Sequence, residues 1–300
     1  MKEVTLGAVQ MERTNDMHKN LEKAIYYIDM AARRGAQAVC LPEAWMSHSP
    51  EVTRSQEEFE SFLVEMGDEY MTKLSECAKK NKIYLIAGSV YERDNGKIYN
   101  TCPIFEPNGN LLGITRKTNL ENARVKAEVD HKVVPGESEF KVFDTEIGKF
   151  GVIIDVDMIA IEAARILGLK GAEIIFWPVS WPSNGHDALP FYAKMAANCC
   201  DGFVVVANPF GEGLYWKRDY YNGGSGIVDL RTFVAAVKDW NEGVAVATVD
   251  LDRIKARKEF IKEKYPFYRR PETYGLICDV EAELRMHERH PKYNYLFEKE

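Results

Sequence analysis

Apolar runs of strand length alternate with segments of helical period along most of this chain, and that alternation restricts it to a layered α/β fold. Val4 to Val9 reads as a strand. Asn15 or Asp16 is placed to cap a helix whose apolar positions are Leu21, Ala24, Ile25, Ile28 and Ala32, with Gly35 at its end. Ala38-Val39-Cys40-Leu41 is a short buried strand stopped by Pro42-Glu43. A second amphipathic helix is expected from about Gln56 to Asn81, followed by a strand from Ile83 to Ala87.

The middle of the chain carries hairpin signals. Asp94-Asn95-Gly96 and Pro107-Asn108-Gly109-Asn110 are turn sequences between β-like runs. Val142-Phe143 and Phe150 to Ile154 flank the turn Glu146-Ile147-Gly148-Lys149. Helices are expected at Ile159 to Leu169 and about Asp187 to Cys200, with strands at Glu173 to Trp177 and Phe203 to Ala207. Strands near Gly226 to Leu230 and Val244 to Val249 precede a charged helix from Leu251 to about Lys262. No Pro/Gly/Ser-rich linker divides the pattern, so one domain over residues 1–284 is expected. The polar stretch 285–300 forms a tail, either frayed or docked on a partner subunit.

The net charge of −7 argues against a nucleic-acid partner, because phosphate binding needs a basic surface. No apolar run approaches the roughly 20 residues of a membrane span. Met1-Lys2-Glu3-Val4 runs straight into a strand, so no leader peptide is expected and a cytoplasmic location follows. Six cysteines are too few for a disulfide scaffold, and no Cys-x-x-Cys or His-x-x-x-His spacing suggests zinc.

Three segments carry chemistry when read together. Leu41-Pro42-Glu43-Ala44-Trp45 places a carboxylate at the exit of a buried strand. Gly113 to Leu120 is a strand ending in Lys117. Gly151-Val152-Ile153-Ile154-Asp155-Val156-Asp157 runs from a strand into a sharp turn before a helix. In this order, with Glu162, Arg165, Gly171-Ala172-Glu173, Pro178-Val179-Ser180-Trp181, Ala207-Asn208, Gly223-Gly224-Ser225 and Arg270-Pro271-Glu272, the chain resembles the nitrilase or carbon–nitrogen hydrolase superfamily over nearly its whole length.

That resemblance implies a four-layer α-β-β-α sandwich that dimerises through its helices, and an active site of glutamate, lysine and cysteine with no metal or organic cofactor. It makes Glu43 the general base and Lys117 the cation that steadies the tetrahedral intermediate. Glu128, ahead of Pro135-Gly136, is the candidate for a further glutamate, with Asp130 as the alternative. The backbone N–H of Val156 would join Lys117 in holding the oxyanion.

The sequence departs from the pattern at the decisive atom, because Asp155 stands where the family has its nucleophilic thiol. A carboxylate is anionic without help from a base, but its adduct with an amide expels the carboxylate more readily than the amine. Asp155 therefore points to altered chemistry on a small amide, carbamoyl or nitrile-type substrate, as a base or as a carboxylate nucleophile. The alternatives are a catalytically silent homologue that binds a small ligand, an interaction role through the helical dimer face, and an amidase with an engineered Cys-to-Asp change. Val156, Asn119 and Ala160-Ile161 also depart from the family's usual residues, which favours natural divergence.

Trp181 and His48 are further candidates for contact with the substrate, although aromatic residues at strand ends more often belong to the core, and a histidine in a loop often serves only to cap it. Cys199 and Cys200 read as buried structural thiols.

Overall fold

The computed structural model describes residues 2–47, 55–120, 128–137, 139–182, 188–212, 220–238, 240–265, 269–279 and 282. Strand β1 (Glu3–Gln10) leads into helix α1 (Met17–Arg33), where the Asp16 carboxylate caps the first turn by accepting the Lys19 N–H at 3.1 Å. Strand β2 (Ala38–Cys40) follows, then helices α2 (Gln56–Glu60) and α3 (Glu69–Asn81) and strand β3 (Tyr84–Ile86). Strands β4 (Val90–Asp94), β5 (Lys97–Phe105) and β6 (Leu111–Arg116) form consecutive hairpins. Asn95 and Gly96 both have positive φ, 48° and 77°, as a two-residue turn of primed type requires.

The second half begins with the hairpin β7 (Val142–Thr145) and β8 (Gly148–Val152). A 3₁₀ turn (Asp155–Met158) precedes helix α4 (Ile161–Leu169) and strand β9 (Ile174–Pro178). Helix α5 (Ala188–Cys200), strand β10 (Phe203–Ala207) and a small ribbon of β11 (Phe210–Glu212) with β12 (Tyr220–Asn222) come next. The remaining elements are β13 (Gly226–Val228), β14 (Phe233–Ala236), β15 (Gly243–Asp250) and helix α6 (Leu251–Lys264).

Two sheets result. In the first, the order runs β15-β1-β2-β3-β5-β4, and Thr101 of β5 pairs with Val90 on one side and Arg116 of β6 on the other. In the second, the order is β14-β13-β10-β9-β8-β7. Side-chain alternation explains the layers. Leu6, Ala8, Ala38, Cys40 and Ile86 of the first sheet pack with Phe150, Val152, Phe176 and Val205 of the second in one core. The opposite face of the first sheet, through Val39 and Leu85, buries Leu21 and Ile28 of α1 and Leu74 of α3. The opposite face of the second, through Ile175 and Val204, buries Ala163 and Leu167 of α4 and Ala193 of α5. The architecture is the four-layer α-β-β-α sandwich.

The chain separates into a compact unit Met1–Ile254, which contains both sheets, and a second unit Lys255–Glu300. The described part of the second unit holds the end of α6 and two short 3₁₀ turns, Pro271–Thr273 and Gly275–Cys278. The expected tail 285–300 lies outside the described residues. Among the described residues no helix is long and apolar enough to cross a membrane.

One expectation needs correction. The single helix from Gln56 to Asn81 is two helices. Between them Val64 donates its N–H to the Tyr91 carbonyl at 2.9 Å and accepts from the Arg93 N–H at 2.9 Å, so the chain turns aside to extend the edge of β4. Asp68 then restarts the helix by accepting the Met71 N–H at 2.9 Å.

Candidate active site

Four buried charged side chains meet at one point. The Lys117 ammonium lies 3.0 Å from Glu43 Oε1, 3.0 Å from Glu128 Oε2 and 2.9 Å from Asp155 Oδ2. Each comes from the end of a different element. Glu43 follows β2, Lys117 follows β6, Asp155 opens the 3₁₀ turn after β8, and Glu128 sits in the turn that leads back to β5.

The backbone fixes each position. The Lys117 N–H donates to the Asn100 carbonyl at 2.8 Å, and its carbonyl accepts from Gly136 at 2.8 Å, so the lysine is held between β5 and the returning segment. The Glu128 carbonyl accepts from His131 and Val133, while Val134 donates to Ile98, which closes the Glu128 turn against β5. Ala44 and Asp155 both adopt left-handed backbone, each with φ of 46°, a conformation that non-glycine residues hold only under surrounding constraint. The Trp177 indole donates to the Asp155 carbonyl at 3.0 Å, and the Ala44 N–H donates to Ser89 Oγ at 3.3 Å. Gly88 lets the Glu43 loop approach, since a Cβ there would lie 2.1 Å from the Pro42 carbonyl oxygen.

Three functional residues carried no sequence signal. Asn100 lies inside β5 and donates from Nδ2 to Glu43 Oε1 at 2.9 Å and Glu128 Oε1 at 2.7 Å. Asp157 accepts the Thr118 and Asn119 amides and so fastens the loop after Lys117 to the turn after Asp155. Arg13, buried beside Glu43, donates to the carbonyls of Glu43 at 3.1 Å and Ala44 at 3.4 Å, and to Ser180 Oγ at 2.7 Å.

Three carboxylates around one ammonium bias the proton balance. Burial and the neighbouring Asp155 carboxylate push Glu43 well above the usual carboxyl range, outweighing the pull of Lys117. Burial opposes the charge on Lys117, but Asp155, Glu128 and Glu43 together hold its pKa well above the ordinary lysine value. The balance favours the protonated form of Glu43 over that of an ordinary carboxyl, and the cluster titrates as a unit.

The other expected site residues are placed as follows. Val156 is half-buried and follows Asp155 in the same 3₁₀ turn. Trp181 is half-buried, packs edge-on against Trp177 and Tyr192, and donates its backbone N–H to Asn208. His48 lies outside the described residues. Of the two candidate acids before Pro135, it is Glu128 that reaches Lys117.

A two-sheet sandwich with an acid–lysine cluster at its strand ends defines a hydrolase-type α-β-β-α scaffold. The Carbon-nitrogen hydrolase family model matches residues 5–259, and the chain belongs to that family. Omega-amidase NIT2 of Mus musculus is 36% identical over 262 residues, spanning 85% of this chain and 91% of the mouse protein. Nit3 of Saccharomyces cerevisiae, a member of branch 10 of the nitrilase superfamily, has a TM-score of 0.74 and 26% identity, covering 90% of this chain and 97% of that one. A carbon-nitrogen hydrolase from Helicobacter pylori G27 shares the fold with a TM-score of 0.81 at 23% identity, covering 93% of this chain and 99% of that one.

Proposed function

We propose that this protein hydrolyses the carbon–nitrogen bond of a small amide by direct attack of water, with Asp155 in the place of the family's nucleophilic thiol. The family relationship and the omega-amidase relatives support the reaction class. The observation that carries the altered mechanism is the state of Asp155. Its Oδ2 is held by Lys117 at 2.9 Å, whereas its Oδ1 is buried with no hydrogen-bond partner among the described residues.

An unpartnered buried carboxylate oxygen is an acceptor prepared for the proton of a nucleophilic water. Water attacks the amide carbon as its proton passes to Asp155 Oδ1. Glu43, whose protonated form is favoured, delivers a proton to the departing nitrogen. Two neighbouring carboxyl groups in unlike environments thus take the roles of base and acid. A lysine has three N–H donors, and here all three face carboxylates. When Asp155 takes up its proton, its hold on Lys117 weakens. One ammonium donor is then released as negative charge develops on the substrate oxygen, where the Val156 N–H also contributes.

The experiment is ammonia release from a panel of small primary amides, with wild type and Asp155→Asn compared. Turnover by the wild type and a loss of about 10²- to 10⁴-fold in the variant is the expected result. Equal rates, or no turnover on any amide, would defeat the proposal. A second reading, a silent homologue that only binds a ligand, draws on the same saturation of Lys117, since a fully engaged ammonium offers no donor to an oxyanion. Ligand-induced thermal stabilisation without ammonia release would favour it.

A further inference from the structure

Asp155 stands on a constrained bend between β8 and α4. Its backbone is left-handed, with φ of 46°, and the Trp177 indole holds its carbonyl at 3.0 Å. Its two carboxylate oxygens have unlike surroundings. Oδ2 lies 2.9 Å from the Lys117 ammonium, whereas Oδ1 is buried and has no hydrogen-bond partner among the described residues. Hydrogen bonds stabilise the charge that a carboxylate gives up when it attacks, so Oδ1 is the more nucleophilic of the two.

The carbon under attack decides what that oxygen can do. At an amide carbon the carboxylate adduct reverts, which leaves Asp155 the part of a base. At a tetrahedral carbon that carries a halide, attack forms an ester, and the halide departs as a weak base that needs no proton. Backside attack needs an open carbon, and a carboxylate only 6% exposed calls for a small primary one.

We propose that Asp155 displaces halide from small primary alkyl halides, a hydrolytic dehalogenation that goes beyond the amide reaction. In the first step Oδ1 bonds to the carbon, the carbon–halogen bond breaks, and its electron pair leaves on the halide. In the second step water adds to Asp155 Cγ and the bond from Cγ to Oδ1 breaks. The alcohol departs with the original Oδ1, and the carboxylate is restored with an oxygen from water. The sum consumes one alkyl halide and one water and gives one alcohol, one halide ion and one proton.

The cluster is arranged for the second step. When water adds to the ester, negative charge develops on Oδ2, the oxygen that Lys117 already holds. The three Lys117 donors face Glu43, Glu128 and Asp155, so the electrostatic help of the lysine falls on this oxygen without any donor being released. Glu43 lies 3.0 Å from the same ammonium, which sets its carboxyl beside Asp155 to take the proton of the attacking water. Esterification removes the Asp155 charge, which after burial does most to raise the Glu43 pKa, so the first step frees Glu43 to act as the base of the second.

Chloroacetamide offers both kinds of carbon to the purified full-length protein, and chloride and ammonia are measured separately. Repeated release of chloride with glycolamide is expected, reduced about 10³-fold or more in Asp155→Asn. In Glu43→Gln the second step should lag, so that a carbamoylmethyl group accumulates on the peptide that carries Asp155. A single turnover of wild type in heavy-oxygen water, with protein in excess, should place the label in the Asp155 carboxylate and leave glycolamide unlabelled. That measurement needs no variant to fold. Chloride release absent or equal in wild type and Asp155→Asn, label in the first glycolamide formed, undiminished turnover without adduct in Glu43→Gln, or alkylation confined to thiols such as the exposed Cys278 would overturn the proposal. Ammonia without chloride sinks the displacement and leaves the amide reading standing, and chloride without ammonia does the reverse.

Discussion

Asp157 accepts two hydrogen bonds from Asn119, the backbone N–H at 2.6 Å and the side-chain amide at 2.9 Å. With the Thr118 N–H at 3.0 Å, these bonds join the loop that carries Lys117 to the turn that carries Asp155. Burial nevertheless wins over the donors and pushes the Asp157 carboxyl from 3.8 up to about 6.

The sign of the pH dependence follows. Between those two values the folded protein holds a proton that the unfolded chain has released. The contribution of Asp157 to stability therefore falls as pH rises through that window and is level above it. The swing is on the order of 2 to 3 kcal/mol. In Asp157→Asn that component should vanish, so the difference in unfolding free energy between wild type and variant should change across the window and stay constant above it. A pH-independent difference in urea titrations would contradict this account.

Lys117→Met should be among the most damaging single substitutions in the first unit. It leaves Glu43, Glu128 and Asp155 buried together without their shared cation. Removal of one partner from a buried ionic group typically costs about 3 to 5 kcal/mol. The loss should grow with pH, since the carboxyl groups relieve their repulsion by holding protons in acid. Denaturant unfolding at acidic and neutral pH measures both the size and the trend, and a variant as stable as wild type at neutral pH would refute it.

The sequence made the layers and the charged centre legible because both rest on local signals. Continuous apolar, Val-rich runs such as Phe203 to Ala207 and turn pairs such as Asn95-Gly96 mark strands and hairpins with little help from tertiary contacts. Glu43, Lys117 and Asp155 stand at strand exits within segments that resemble a known family. Asn100, by contrast, occupies an ordinary place in a long strand, and its role arises only when Glu43 and Glu128 fold over it from remote segments. The break between α2 and α3 was hidden because Phe59, Leu63, Met66 and Tyr70 keep a helical period across it. There the backbone of Val64 pairs with the edge of β4, a long-range bond no local pattern records.

Asp155→Cys should change the route of catalysis. A thiol removes the charge that, after burial, does most to raise the Glu43 pKa, so Glu43 becomes available as a base. It also gives Lys117 back one N–H donor. The expected behaviour is a covalent acyl-enzyme, seen as a mass increase on Cys in the quenched reaction and as a burst of ammonia equal to the enzyme concentration. Glu43→Gln in the same background should suppress the burst. Steady turnover with no adduct, unaffected by the loss of Glu43, would show that the rest of the site does not support thiol chemistry.

Arg13→Lys tests whether the guanidinium acts through its shape or only through its charge. Arg13 spans the carbonyls of Glu43 and Ala44 with one nitrogen and Ser180 Oγ with the other, and its guanidinium lies over the Tyr221 ring at 4.6 Å. Ser180 follows β9 of the second sheet and Glu43 follows β2 of the first, so the fork ties the two sheets together where Ala44 adopts its left-handed backbone. A lysine has the charge but no planar fork, and it leaves one of these groups buried without its donor. Loss of about 1 to 3 kcal/mol of stability is expected from that group alone. The fall in kcat should exceed the change in KM, because the role proposed for Glu43, proton delivery to the departing nitrogen, belongs to the transition state and not to substrate binding. An equal change in both parameters would mean that Arg13 supports the substrate pocket as a whole and not the position of Glu43.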